Sequence, residues 1–193
     1  MTEARMTPAV AKRFRSGRAC LDFAHTAETP DWREPELVYD RPSLERWLSH
    51  ILGLAAVRTE PGDVAEAHRL RAAILRLARA RTSEQPFDPQ DVDVLNAFAA
   101  AAPPIPRLTA NGALAPLAAT AVAGLSAIAR DAIDLFAGPL GHRIRVCASP
   151  DCAYMFVDAS RPGTRRWCSM QRCGNLAKVH THRDNQAVKD LAR

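Results

Sequence analysis

Apolar residues recur at helical spacing through the first three quarters of the chain. The first stripe consists of Leu44, Trp47, Leu48 and Ile51. Ser43 is placed to cap this helix, and Gly53 is placed to end it. Three more stripes with the same period begin near Asp63, Asp88 and Pro116. The pattern therefore predicts four helices before residue 141.

Turn residues complete the prediction for this region. Asn111-Gly112 separates two short apolar runs, a combination typical of a β-hairpin. The stripe that begins near Pro116 predicts the longest helix, and Gly138-Pro139 ends it. We therefore expect a mainly α fold, with a helical domain over residues 1–141 that carries a small β-hairpin.

The composition is that of a folded protein. Of the 193 residues, 47% are hydrophobic, which excludes general disorder, and no run of about 18 apolar residues is present to cross a bilayer. Arg13, Arg15 and Arg18 interrupt the N-terminal segment where a signal peptide needs a continuous apolar stretch. We expect a cytoplasmic location, where cysteines more often bind metal or stay free than form disulfides.

The charge is distributed unevenly along the chain. The formal net charge is +5, but residues 142–193 hold ten Lys and Arg against four acids, a net charge of +6. The first 141 residues are close to neutral, at −1. Four of the five cysteines lie in the same basic quarter. Two independent counts thus predict a second domain over residues 142–193.

Two cysteine pairs define the candidate chemistry of that second domain. Cys147 and Cys152 are separated by four residues, as are Cys168 and Cys173. Four thiolates suit one structural Zn²⁺, while an iron–sulfur cluster or unliganded or disulfide-bonded cysteines are the alternatives. Alternating residues around the first pair predict a hairpin, and the segment from Cys173 onward has helical spacing. A hairpin plus a helix is a treble-clef-like zinc finger.

The residues around these cysteines resemble a known family. The resemblance rests on Arg145-Val-Cys147, Phe156-Val-Asp158, Arg165-Arg166-Trp167-Cys168, Cys173-Gly174-Asn175 and Lys178. Together they are similar to the CGNR zinc finger, which in its family follows a helical ABATE domain. Gly17, Leu21-Asp22-Phe23 and Trp47-Leu48 resemble that domain. The resemblance implies a bacterial, stress-related transcriptional regulator that binds double-stranded DNA. One departure is Leu176, where the family motif has arginine.

Basic and polar residues of the second domain are the candidate DNA contacts. They are Arg161, Arg165, Arg166, Arg172, Lys178, His182, Arg183, Asn185 and Lys189. Lys178, His182, Asn185 and Lys189 recur on one face of the predicted helix, where they could reach phosphates and base edges. The alternative is a solvated helix face and arginines that offset the zinc–thiolate charge. A tight DNA site would require a homodimer, which we expect to form through the helical region.

Other functions depend on weaker signals. Asp22 and His25 lie in an apolar segment, where they either contact a small-molecule effector or satisfy buried backbone groups. Common catalytic and phosphate-binding motifs such as His-Glu-x-x-His and Gly-x-x-x-x-Gly-Lys are absent, and four thiolates leave zinc no open position, so we do not expect an enzyme. The remaining alternatives are a zinc-stabilised module for protein association and a thiol redox switch, neither of which binds DNA.

Overall fold

The fold is mainly α. The computed structural model describes residues 15–27, 35–150, 152–176 and 178–179. Within these residues lie five α-helices: α1 (Ala19–Ala24), α2 (Arg41–Leu52), α3 (Asp63–Thr82), α4 (Pro89–Ala99) and α5 (Ala121–Ala137). Strand β1 (Ala56–Arg58) pairs with β2 (Ala118–Thr120), and β3 (Ile144–Val146) pairs with β4 (Met155–Val157). A 3₁₀ turn (Gly141–Arg143) follows α5, and a π-helical turn (Met170–Gly174) follows β4. No helix in the described part of the chain is long and apolar enough to cross a membrane.

Helix α2 begins three residues earlier than the apolar stripe predicts. Asp40 is the N-cap, and its carboxylate accepts a hydrogen bond from the backbone N–H of Ser43 at 2.8 Å. The Ser43 hydroxyl accepts from the backbone N–H of Asp40 in return, at 2.9 Å. The prediction that Ser43 is the N-cap was therefore wrong, because the two side chains form a capping box. Gly53 ends the helix in the left-handed conformation, as predicted.

Helices α3 and α4 begin where their sequence signals place them. Helix α3 starts at Asp63, and α4 starts at Pro89 after Asp88, whose carboxylate accepts from the backbone N–H of Gln90. Helix α3 has 20 residues and packs against α1, α4 and α5, which makes it the central helix of the domain. It is also longer than α5, which has 17 residues, so the prediction of the longest helix was wrong.

The start of α5 differs from its predicted start near Pro116. The helix begins at Ala121, where the Thr120 hydroxyl accepts a hydrogen bond from the backbone N–H of Ala123. The three preceding residues form β2 and pair in parallel with β1, with Ala56 opposite Ala118. Pairing with a distant strand therefore overrides the helical period of the local sequence. The sequence did not predict this parallel pair.

The predicted hairpin around Asn111-Gly112 is small. One antiparallel bridge joins Leu108 to Leu114, and Gly112 has φ of 79°, as a tight turn requires. Both leucine side chains are exposed. The turn is stabilised by its own polar groups, since the Thr109 hydroxyl donates to the carbonyl of Ala113 at 2.7 Å.

Two apolar clusters divide the interior. The main cluster is formed by the helices, with Leu21, Phe23 and Trp47 among its buried members. Ile144, Met155 and Val157 of the C-terminal hairpin also belong to this main cluster. The second cluster contains the four C-terminal cysteines with Tyr154 and Phe156. Strand β4 therefore contributes side chains to both clusters.

Helix α1 is anchored so that it faces the C-terminal hairpin. The Arg18 guanidinium forms ion pairs with Asp131 at 2.8 Å and Asp134 at 2.7 Å on α5. The backbone N–H of Cys20 donates to the other Asp131 oxygen at 2.8 Å. The backbone N–H of Val157 donates to the carbonyl of Ser16 at 2.8 Å. The segment that enters α1 thus lies along β4.

Candidate metal centre

The first cysteine pair lies in the loop of the β3–β4 hairpin, as predicted. The strands are antiparallel, with Ile144 opposite Val157 and Val146 opposite Met155. The backbone N–H of Cys147 donates to the carbonyl of Tyr154 at 2.9 Å, which continues the ladder beyond the strands. The N–H of Cys152 donates to the carbonyl of Ser149 at 3.0 Å and closes a tight turn. The hairpin therefore directs both thiols to one side.

The second pair lies on the π-helical turn and the residues before it. The N–H of Cys168 donates to the sulfur of Cys147 at 3.4 Å, which joins the two pairs. Gly174 follows Cys173, and a Cβ at this position would approach the Met170 sulfur to 2.6 Å and Trp167 Cδ1 to 3.3 Å. Glycine at this position therefore leaves room for the side chains of Met170 and Trp167 beside Cys173.

The four sulfurs have the spacing of a tetrahedral metal site. All of them lie within 4.8 Å of one another. Cys168 Sγ is 3.7 Å from Cys152 Sγ and 3.5 Å from Cys173 Sγ. Four Zn–S bonds of about 2.3 Å in a tetrahedron place the sulfurs about 3.8 Å apart. The four cysteines are free thiols and form no disulfide. The donor set and its spacing fit one Zn²⁺.

Hydrogen bonds among the thiols shift their pKa values in opposite directions. Hydrogen bonds from Cys152 and Cys168 lower the pKa of Cys147 below its usual range. The same hydrogen bonds raise the pKa of Cys152 and of Cys168, because those two thiols donate to the first thiolate. One thiolate therefore forms at the expense of the others. A bound cation is what allows all four to ionise together.

Aromatic side chains and an arginine surround the cluster. Tyr154, Phe156 and Trp167 pack against the cysteines. The Arg165 guanidinium lies 4.3 Å from the centre of the Phe156 ring. It also donates to the carbonyls of Trp167, at 2.8 Å, and of Cys168. A closed shell of four thiolates in these surroundings gives a structural zinc site with no open coordination position.

Asp158 organises the loop between the two cysteine pairs. Its carboxylate accepts from the hydroxyl and the backbone N–H of Ser160, at 2.5 and 2.9 Å, and from the N–H of Arg165 at 2.8 Å. The Ser160 hydroxyl in particular lowers the pKa of Asp158. Arg143 closes the loop by donating to the carbonyls of Asp158 and Ser160. Sequence reasoning assigned no role to Asp158, although it belongs to the Phe156-Val-Asp158 motif.

The predicted DNA-contacting residues fall into three groups. Arg161, Arg166, Arg172 and Lys178 are exposed, and Arg166 lies over the Trp167 ring at 5.1 Å. Arg165 was predicted with them, but the structure gives its guanidinium an internal role. The last group, consisting of His182, Arg183, Asn185 and Lys189, lies outside the described residues.

Asp22 and His25 join the helical domain to the hairpin. Asp22 accepts from the Tyr154 hydroxyl at 2.5 Å and from the N–H of Ser16 at 3.0 Å. His25 accepts from the N–H of Met155 at 2.7 Å through Nε2. Both side chains are 5% exposed. In the structure both residues satisfy buried groups of the protein, which agrees with the second of the two alternatives; contact with a small-molecule effector stays a prediction.

Comparisons with known families agree with this geometry. Residues 17–139 match the ABATE family, described as "Putative stress-induced transcription regulator". Residues 143–186 match the CGNR zinc finger. A search of curated proteins gives no match. The first match spans well over half of the chain, and the second covers all four sulfur ligands. The chain therefore belongs to the ABATE family and carries a CGNR zinc finger with a single structural zinc site.

Proposed function

We propose that this protein is a transcription regulator that binds double-stranded DNA through its zinc finger. The observation that carries the proposal is the charge of the described part of the finger. From residue 142 onward it contains six arginines and Lys178, while its one described carboxylate, Asp158, is buried. A surface with exposed cations and no described exposed acid suits a polyanion.

In this proposal the zinc site fixes the backbone that carries the exposed basic residues. The π-helical turn that contains Cys173 carries Arg172, and Lys178 follows it in the sequence. The loop held by Asp158 carries Arg161, and stacking on Trp167 restrains Arg166. An arginine held in this way loses less conformational freedom when it binds a phosphate with two hydrogen bonds. Zinc therefore has a positioning role and no catalytic one in this proposal.

The magnitude of the charge limits the size of the DNA contact. Zn²⁺ with four thiolates has a net charge of −2, which lowers the formal charge of residues 142–193 from +6 to about +4. About five phosphate contacts would give a log–log salt slope near −4.5. One small module buries only about 600 to 1,000 Å² on DNA. We therefore propose that tight binding requires a homodimer.

Duplex binding at several salt concentrations tests the proposal. We expect Arg166→Ala and Lys178→Ala each to weaken binding to a random-sequence duplex and to reduce the salt slope by about 0.9. Arg107→Ala is the matched control, since it removes one exposed arginine from the helical domain. The proposal fails if the zinc-loaded protein does not bind duplex DNA, or if the finger variants behave like the control. Such a result would favour association with an acidic protein partner.

A further inference from the structure

Tyr154 occupies a special place beside the zinc ligands. It follows Cys152 by two residues and precedes strand β4. Its backbone carbonyl accepts the hydrogen bond from the N–H of Cys147. Tyr154 is thus linked to two of the four ligands, to Cys152 through the chain and to Cys147 through a backbone hydrogen bond. A shift of Tyr154 would move both sulfurs of the first pair.

The helical domain holds the side chain of Tyr154 in place. The phenol hydroxyl donates to Asp22 Oδ1 at 2.5 Å, and the same oxygen accepts from the N–H of Ser16 at 3.0 Å. The His25 ring stacks on the Tyr154 ring, with 4.1 Å between centroids and 21° between planes. His25 also fixes the next residue through its hydrogen bond from Met155. Asp22 of α1 and the C-terminal cap His25 therefore restrain the end of the ligand loop.

These polar contacts differ from the apolar packing between the two domains. Met155 and Val157 enter the main cluster and pack β4 against the helices. Tyr154 belongs instead to the cluster that contains the cysteines. Contacts with Tyr154 therefore orient the ligand loop rather than merely bury apolar area. Residues that hold metal ligands in position in this indirect way commonly affect metal affinity.

We propose that Asp22 and His25 are positioning residues of the zinc site, acting through Tyr154 and Met155, so that the helical domain sets the zinc affinity of the finger. The inference depends on the four-cysteine site and is independent of DNA binding. It gives the ABATE domain a specific chemical effect on the finger that follows it. Loosening the α1 contact would release zinc more readily even though all four ligands remain.

Competition with a chromophoric chelator tests the proposal on the zinc-loaded full-length chain. We expect Asp22→Ala to weaken zinc binding by about 10-fold, the lower end of the range for groups that hydrogen-bond directly to metal ligands, because Asp22 acts through Tyr154. Tyr154→Phe, which keeps the ring but removes the hydroxyl, should give a smaller loss. The double variant should be no weaker than Asp22→Ala alone, because both changes remove the same hydrogen bond. Losses that multiply would show that Asp22 does not act through Tyr154.

A matched control separates positioning from general loss of stability. Asp91→Ala also removes a buried carboxylate, which accepts hydrogen bonds from Arg76 on α3, away from the hairpin. It should lower the melting temperature and leave zinc affinity unchanged. If Asp91→Ala and Asp22→Ala weaken zinc binding in proportion to their loss of stability, the proposal is overturned.

Substitutions at His25 provide a second test that does not depend on Asp22→Ala folding. Glutamine can still accept the Met155 hydrogen bond, whereas alanine cannot. We expect His25→Gln to retain more zinc affinity than His25→Ala. With Co²⁺ in place of zinc, His25→Ala should alter the visible absorption bands, which report the geometry of the sulfur ligands. Unchanged bands, together with equal affinities for the two variants, would reject a positioning role for His25.

Discussion

The buried imidazole of His25 functions as a neutral hydrogen-bond acceptor. Burial lowers its pKa from 6.5 to about 3, and the nearby positive charge of Arg79 contributes in the same direction. Neutrality leaves Nε2 able to accept from the backbone N–H of Met155. Burial has the opposite effect on the neighbouring carboxylate, since it raises the pKa of Asp22. The junction between the domains is thus built from groups that protonation would disturb.

The His25 pKa predicts how stability depends on pH. Between pH 6.5 and about 3 the unfolded chain binds a proton at His25 that the folded chain does not. The stability that the neutral His25 contributes is therefore fully present above pH 6.5 and falls as the pH is lowered. Between pH 6.5 and about 5.5 the wild type should lose about 1 kcal/mol more than His25→Gln. Urea unfolding of both proteins with saturating zinc measures the difference. Equal losses would show that His25 is protonated in the folded state.

Leu176 provides a direct test of the proposed DNA surface. Its side chain is 52% exposed, and the family motif has arginine at this position. Leu176→Arg should strengthen duplex binding and make the log–log salt slope steeper by about 0.9 if the new guanidinium reaches one phosphate. Leu114→Arg is the control, because it adds the same charge at an exposed leucine of the helical domain. Equal gains in the two variants would mean that binding responds only to net charge.

The individual residues of the metal site differ in how far sequence predicts them. The ligands Cys147 and Cys173 could be predicted because thiol chemistry and regular spacing identify them locally. The contacts of Asp22 and His25 could not, because their partners lie about 130 residues further along the chain. An acid and an imidazole in an apolar segment signalled only that these side chains needed polar partners. Which partners they find depends on the packing of the whole fold.

At the scale of the elements, polar side chains cap the N-termini of three of the five described helices. Asp40, Asp88 and Thr120 each accept a hydrogen bond from a backbone N–H in the first helical turn. These interactions satisfy donors that lack partners within the helix. Helix α2 shows the fullest arrangement, since Asp40 and Ser43 cap each other. Each of these three caps is therefore a separate contribution to stability.

The capping box of α2 can be tested by a single substitution. Asp40→Ala should lower the free energy of unfolding by about 1 kcal/mol, because the N–H of Ser43 loses its acceptor. Thermal or urea unfolding measures the change. Asp93→Ala removes an exposed carboxylate from the middle of α4 and should have a smaller effect. If the two variants lose the same stability, the cap contributes no more than an ordinary surface charge.

Helix interiors could be predicted from sequence more fully than helix ends or strand pairs. The stripe on α2 gave a correct helix, but the N-cap is Asp40, three residues before Ser43, and Ser43 is the N3 residue of the capping box. The predicted first turn of α5 is absent because residues 118–120 form strand β2, which pairs with β1. Those strands are three residues long, and their paired residues, such as Ala56 and Ala118, are 62 positions apart. The local sequence does not predict such a pair, because three residues, most of them alanine, are too few to show the alternating pattern of a strand.

At the scale of the whole molecule, the finger and the helices share a continuous interior. Val157, Met155 and Ile144 complete the main cluster, and Arg18 connects the segment along β4 to α5. Unfolding of the finger would therefore expose apolar surface of the helical domain. The two domains should behave as one cooperative unit when zinc is bound.

This shared interior predicts the effect of removing the metal. A chelator should unfold the finger, because metal binding supplies folding free energy to such sites. It should also lower the melting temperature of the helices, measured by far-ultraviolet circular dichroism, since β4 loses its support. Restoring one equivalent of zinc should reverse both changes. A helical transition that does not respond to the chelator would show that the two domains fold independently.

The burial of β4 on both faces limits the portability of the finger. All three of its residues are buried, with Phe156 toward the cysteines and its two neighbours toward the helices. A finger grafted onto another host would present Met155 and Val157 to water and would invite aggregation. Engineers who wish to reuse this finger should therefore transfer the complementary surface of the helices with it, or replace both side chains with polar ones.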